Sequence, residues 1–347
     1  MKDLKYLAAL SIPVSAVLSI YFGGIWSYLT PVYAFVIIPV LEIILPLDAE
    51  NYDATTREKR KINKVFDWML YANLPIVYGL LFFYFWSFSQ NAYASYEIIG
   101  FILSLGIVLG TNGINVGHEL GHRQQSKERF LGKLLLLPSL YMHFYIEHNF
   151  GHHVHAATKE DPATALYNQS VYSFWITSVG RQISKAWKLQ LKLLAQEKRS
   201  FFSFKNDMFW YLVLQLGYLM LILFMFNTPT LVFALGAAVV GFLLLETVNY
   251  IEHYGLLRLK LPSGRYERVK EIHSWNSNHI LGRIILYELT RHSDHHYTSS
   301  KKYQLLDCYE DSPQMPFGYP TSMVLALMPP LWFRIMNKRI PAPMKIR

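Results

Sequence analysis

Six apolar stretches alternate with polar ones along the chain, at approximately residues 6–22, 31–47, 68–88, 98–116, 208–226 and 231–251. Each is long enough, or nearly so, to cross about 30 Å of hydrocarbon, which takes roughly 17–25 helical residues. Pro13, Pro39 and Pro75 fall inside these runs, where neighbouring helices re-satisfy the freed backbone groups. The pattern predicts an all-α integral membrane protein, a six-transmembrane-helix bundle. The first run, preceded by Lys2 and Lys5, also has the outline of a signal peptide. It is longer than a typical signal-peptide core, and five further runs follow.

Two other segments need separate treatment. Residues 131–146 are largely apolar but interrupted by Pro138, and are expected to be only partly embedded. Residues 174–194 carry Arg181, Lys185, Lys188 and Lys192 on one helical stripe, with Ile176, Val179 and Ile183 on another face. That amphipathic pattern predicts a helix lying in the membrane interface. No internal repeat or low-complexity linker interrupts the chain. One domain over residues 1–347 is expected, with a cap formed by 117–207 and 252–347.

Composition and charge sharpen this picture. Of the 347 residues 52% are hydrophobic and only 16% charged, whereas soluble domains are about 25% charged. The loops between runs one and two, three and four, and five and six hold no Lys or Arg. The loop 48–67 holds Arg57, Lys59, Arg60, Lys61 and Lys64, and the other basic residues lie at the N-terminal tip, between runs four and five, or after run six. This alternation places both termini and every histidine on the cytoplasmic side of an inner membrane. The same bias explains the net charge of +9 without invoking nucleic acid. A single cysteine, Cys308, excludes an intrachain disulfide framework and a Cys-x-x-Cys metal site.

Most of the thirteen histidines are clustered. The clusters are His118-Glu119-Leu120-Gly121-His122, Glu147-His148-Asn149-Phe150-Gly151-His152-His153, Asn249-Tyr250-Ile251-Glu252-His253-Tyr254-Gly255 and Arg291-His292-Ser293-Asp294-His295-His296. Spacings of three, four and five point two or three imidazoles to one side if the segments are helical. Histidine is rare and costly at membrane depth, so four clusters at one membrane face indicate a metal site. His143, His155, His273 and His279 stand alone and are expected to serve packing or hydrogen bonding. The first cluster also fits His-Glu-x-x-His, in which Glu119 would be the base of a zinc protease. Nine imidazoles exceed what one catalytic zinc uses and suit two metals with about four or five nitrogens each. Imidazole accepts iron, copper, nickel or zinc, so spacing alone leaves the metal open. Glu119, Glu252 and Asp294, with Glu147 and Asp161 as further candidates, can accept the remaining N–H of a ligating histidine.

With these motifs set out, the chain resembles the membrane alkane hydroxylases, or alkane 1-monooxygenases, from about residue 38 to 339. Glu-Asp-Pro-Ala-Thr-Ala at 160–165 and His-Ser-Trp-Asn-Ser-Asn at 273–278 add to the four clusters. Asn-Tyr-Ile-Glu-His-Tyr-Gly separates the chain from fatty-acid desaturases, which share the general plan. Tyr297-Thr298-Ser299-Ser300 departs from the family, many of whose members carry a proline there. The resemblance implies a cytoplasmic histidine-rich di-iron site with two non-haem irons held by His118, His122, His148, His152, His153, His253, His292, His295 and His296. It further implies O2 as co-substrate, a linear alkane drawn from the bilayer as substrate, and rubredoxin with an NAD(P)H-dependent reductase as electron source. Alternatives are a xylene-type methyl hydroxylase or a fatty-acyl desaturase of the same superfamily. A membrane zinc metalloprotease or a metal carrier is further off. The basic residues Arg181, Lys185, Lys188, Lys192, Lys301, Lys302, Lys338 and Arg339 are candidates for docking the electron carrier or for contacting membrane lipid.

Overall fold

A computed structural model describes residues 2–345, and among these the only β structure is three isolated bridges. The expected single domain also takes in Met1, Ile346 and Arg347, which lie outside the described residues. Fourteen helical elements carry the argument. Six are long and apolar enough to cross a membrane: α1 (Asp3–Phe22), α2 (Gly24–Ile44), α4 (Val65–Gln90), α5 (Ser95–Gly121), α9 (Asp207–Met225) and α10 (Thr228–His253). The others are α3 (Ala54–Ile62), α6 (Ser126–Leu136), α7 (144–155), α8 (Val171–Gln196), α11 (Ile280–Ile285), α12 (His292–Tyr297), α13 (Tyr319–Ala326) and α14 (Pro329–Met336).

The six long helices overlie the six apolar runs, with one shift. Helix α2 begins at Gly24 rather than near residue 31, because the chain re-enters helix through a 3₁₀ turn at Gly24–Tyr28. A π turn at Tyr33–Ile37 then precedes Pro39. Proline cannot donate to the carbonyl one turn back, and such a re-registered turn is a usual accommodation. The segment 131–146 does not form a seventh span. Helix α6 stops at Leu136, a 3₁₀ turn takes up Pro138, and Leu140 adopts a left-handed φ of 53°.

The chain packs as two compact units. The first comprises residues up to Ile38, Asn63–Tyr145 and Gln190–Leu245. Its core is aromatic: Phe233 of α10 stacks on Phe88 (4.2 Å) and Tyr84 (6.0 Å) of α4. In a bilayer apolar surface gives little drive for helix association, so close contacts and polar clasps matter more. Asn112 of α5 donates to Asn73 of α4 at 2.8 Å, and Ser104 donates to the Ser27 carbonyl at 2.9 Å. Helices α5 and α6 meet at two glycines. A Cβ on Gly132 would lie 2.7 Å from the Gly117 carbonyl, so only glycine fits there, one residue before His118.

The second unit comprises Pro39–Ile62, Ile146–Leu189 and Glu246–Arg347. Buried ion pairs and backbone bonds from long side chains hold its irregular segments. Arg283 pairs with Glu288 (2.7 Å) and Asp48 (2.8 Å), and Arg291 donates to the Glu50 carbonyl (2.7 Å). Helix α10 ends in this unit. Its stop needs Gly255, whose φ of 70° is left-handed and whose missing Cβ makes room for Ile340. Trp275, fully buried, donates from its indole to the Tyr254 carbonyl at 2.9 Å and from its backbone to the Glu252 carbonyl at 2.8 Å. Asn276 accepts from the Ser293 N–H at 2.9 Å. The tryptophan–asparagine segment thus ties the end of α10 to the start of α12.

Candidate metal centre

Three segments of the second unit deliver seven histidines. Helix α7 is α-helical at Phe144–Glu147, switches to a π turn over His148–His152, and ends in Glu147's sequel His153–His155. The His153 N–H reaches the His148 carbonyl, five residues back, which stacks residue 153 over 148. Their Nε2 atoms meet at 3.0 Å. His152 belongs to a different group of donors, with its Nε2 3.1 Å from that of His296. Helix α12 divides similarly. His292 and His296 join His152 and His253, whereas His295 joins His148 and His153. A box read as one face in the sequence therefore serves two groups of donors.

In the quartet of His152, His253, His292 and His296, all four residues are buried and the ligand atoms lie within 4.8 Å of one another. The Nε2 atoms form a chain: His152 to His296 at 3.1 Å, His296 to His292 at 2.9 Å, His292 to His253 at 3.0 Å. The outer nitrogens face carboxylates, and His152 makes a hydrogen bond there. His152 Nδ1 lies 2.9 Å from the Asp161 carboxylate, and His292 Nδ1 lies 3.3 Å from Glu252 Oε1. Each ring that donates outward from Nδ1 turns a lone pair inward at Nε2. His296 Nε2 touches both of these inward nitrogens and can donate to only one of them. Lone pairs held this close call for a cation among them, so the donor set fits a metal ion. Burial pushes His295 down to about 3, and burial with the neighbouring imidazoles lowers His296 strongly. Both rings are therefore neutral and able to ligate. His148, His153 and His295 form the second group, with ligand atoms within 4.8 Å of one another.

In the first unit, His118 and His122 sit at the end of α5 with Nε2 atoms 3.2 Å apart. Residues four apart on a helix share a face, so the pair presents two donors together. Glu119 lies 3.0 Å from Arg123, which also pairs with Asp67 at 3.1 Å. A carboxylate so engaged is poorly placed as the general base of a protease.

The carboxylates divide in a way the sequence does not reveal. Glu252 faces His292 at 3.3 Å, and it also accepts from the Tyr319 hydroxyl at 2.9 Å. Asp294, expected beside an imidazole, instead accepts from Lys301 (2.5 Å), the Asp307 N–H (2.7 Å) and Tyr309 (2.9 Å). It anchors the loop after α12. Asp161 takes the orienting place. Burial works against its charge, but His152 and Lys185 hold it well below the usual carboxylate range. Burial likewise opposes protonation of His152, yet Asp161 raises that ring overall. Thr164 and the Ala163 N–H also donate to Asp161, at 2.6 and 3.2 Å, which explains the Asp-Pro-Ala-Thr element. Glu147 pairs with Lys185 of α8 at 3.0 Å rather than with an imidazole. Gly151 leaves room for that pair, since a Cβ there would lie 2.6 Å from Glu147.

The expected basic face also loses members. Lys185 is taken by Glu147, and Lys301 by Asp294 and Asp307. A buried carboxylate needs a compensating partner more than a surface needs a lysine. Arg181, Lys188 and Lys192 remain exposed on α8. The inner face of α8 is polar: Ser178 and Gln182 donate to the buried Glu246 of α10 at 2.6 and 2.8 Å. The solitary histidines have other roles. His143 packs on Tyr141 (ring centroids 4.3 Å), His273 Nδ1 accepts from the Lys270 N–H at 2.9 Å, and His279 Nδ1 meets the Ser277 hydroxyl at 3.0 Å. His155 is half-buried.

Membrane-length helices and buried histidine groups define a membrane metalloenzyme, and comparison with known proteins agrees. The fatty acid desaturase family model matches residues 94–321, which include all nine clustered histidines. The chain is 37% identical to alkane 1-monooxygenase 2 of Alcanivorax borkumensis, over 99% of this chain and 92% of that protein. It is 38% identical to alkane 1-monooxygenase 1 of Pseudomonas aeruginosa, over 91% and 84% of the two chains. Identity to the xylene/toluene monooxygenase hydroxylase component of Pseudomonas putida is 28%, over 97% and 89%. The chain belongs to the alkane 1-monooxygenase family, and it is an oxidoreductase of the monooxygenase type.

Proposed function

We propose that the chain hydroxylates the terminal carbon of linear alkanes, at a non-haem di-iron centre held by the nine clustered histidines. The observation that carries this reading is the buried quartet of convergent Nε2 atoms. It accounts for four donors to one ion, and His148, His153 and His295 of the same unit offer donors for a second. The names of the relatives supply the substrate class. Overall, alkane, O2, two electrons and two protons give 1-alkanol and water. Bound iron would supply the reductive activation of O2.

The protein's part is to bind, orient and exclude water. Asp161 and Glu252 fix the ring orientations of His152 and His292. Burial keeps His295 and His296 neutral and able to ligate. An alkane offers no polar handle, so shape must select it, and one methylene is worth only about 1–3 kcal/mol in an apolar pocket. A broad chain-length range follows.

Electrons must come from outside, because one cysteine cannot build an iron–sulfur centre. A rubredoxin with its NAD(P)H-dependent reductase fits this need, and the distribution of Lys and Arg supports a reading in which the site and both termini face the cytoplasm across the inner membrane. Purified protein with NADH alone should turn over no alkane, and addition of rubredoxin and its reductase should restore turnover. Salt should weaken it, since the Debye length shrinks from about 10 Å at 0.1 M to about 3 Å at 1 M. Hydroxylation by the lone chain with NADH would refute the separate carrier.

A further inference from the structure

A fully buried tyrosine far along the chain from any histidine box reaches the ligand shell. Tyr319 opens α13, shows no exposed surface, and donates its hydroxyl to Glu252 Oε1 at 2.9 Å. The same oxygen lies 3.3 Å from His292 Nδ1. Tyr319 is itself placed by a carboxylate. Glu42, near the end of α2 and buried, accepts from the Gly282 N–H at 2.9 Å. Its other oxygen abuts Gly318, where any Cβ would collide with it. Glycines at 282 and 318 let this carboxylate enter between the starts of α11 and α13, and the residue after Gly318 is Tyr319.

Glu252 has two oxygens and could rotate away from His292. The Tyr319 hydroxyl engages the same Oε1 and opposes that rotation. We propose that Tyr319 is a positioning residue of the metal centre: it holds Glu252 so that its carboxylate faces His292 Nδ1 and keeps the His292 Nε2 lone pair turned inward. Outer partners of this kind are worth roughly 10–100-fold in metal affinity. Tyr319 acts through Glu252, so its effect depends on Glu252 being present. The inference rests on His292 being a metal ligand.

The test is a double-mutant cycle on the full-length protein, with iron affinity read by chelator competition and melting temperature read on the iron-free form. Tyr319→Phe keeps the ring and removes one hydroxyl. It should weaken iron binding about tenfold, with little change in the melting temperature of the iron-free protein. Glu252→Ala should weaken it further, and Tyr319→Phe added to Glu252→Ala should cost nothing more. If Glu252→Ala does not accumulate, Glu252→Gln takes its place in the cycle. Wild-type iron affinity in Tyr319→Phe would overturn the proposal, as would a full second loss in the double variant. His292→Ala serves as the control. If it keeps its iron, the ligand assignment has failed; if it loses iron while Tyr319→Phe does not, the positioning role alone has failed.

Discussion

Replacing Asp161 with alanine removes the acceptor behind His152. In the folded protein this carboxylate is 1% exposed, 2.9 Å from His152 Nδ1, and receives Thr164 at 2.6 Å and the Ala163 N–H at 3.2 Å. A hydrogen bond to a charged group is worth about 1.5–3 kcal/mol. A tenfold change in affinity is about 1.4 kcal/mol, so that range corresponds to roughly 10–150-fold. Metal-site outer partners independently give about 10–100-fold, and the two estimates overlap. Asp161→Ala should therefore weaken iron binding by one to two orders of magnitude. Asp161→Asn keeps a neutral acceptor and should cost less. Asp294→Ala is the informative contrast. Asp294 sits inside a histidine cluster, but its oxygens are spent on Lys301, Asp307 and Tyr309. That variant should lower the melting temperature while keeping iron affinity near wild type. Chelator competition on the three purified variants reads this directly. Equal iron loss from Asp294→Ala and Asp161→Ala, or none from Asp161→Ala, would refute the reasoning.

Acid should destabilise the protein partly through His143. Burial lowers this ring to about 4, against about 6.5 in an unfolded chain. Between those values the unfolded state binds the extra proton, so stability falls as pH drops from about 6.5 towards 4, by about 2 kcal/mol at pH 5. His143→Phe should show a smaller drop in melting temperature between pH 7 and pH 5, and an unchanged drop would remove His143 as the cause. The topology is open to reporter fusions: one placed after Arg347 should read cytoplasmic and one inserted near Asn227 periplasmic. The reverse pattern would overturn the charge argument.

The six membrane helices were legible because apolar length is a strong signal, and no competing fold hides about twenty apolar residues. The start of α2 was not, because Pro31 looks like a helix boundary while the helix enters earlier through a 3₁₀ turn. The nine histidines stood out by clustering. The division of the seven in the second unit between two groups did not, because an ordinary helix would not stack His153 over His148, and the π turn at His148–His152 has no plain mark in the sequence. The orienting carboxylates were the least readable. Asp294 lies within its cluster yet faces a loop, and Asp161, eight residues beyond His153, folds back onto His152. Adjacency in sequence is a poor guide to which side chain a buried carboxylate meets. Lys185 shows the same for charge: it continues a basic stripe on α8 but turns inward to Glu147.

The most direct test joins metal analysis to oxygen uptake. Full-length protein, purified and supplied with rubredoxin, its reductase and NADH, should contain about two irons per chain and consume O2 only when octane is present, forming 1-octanol. His292→Ala should lose both iron and turnover, and His155→Ala should keep both. Zinc in place of iron, octane left unoxidised, or full iron retention in His292→Ala would contradict a nine-histidine di-iron alkane hydroxylase.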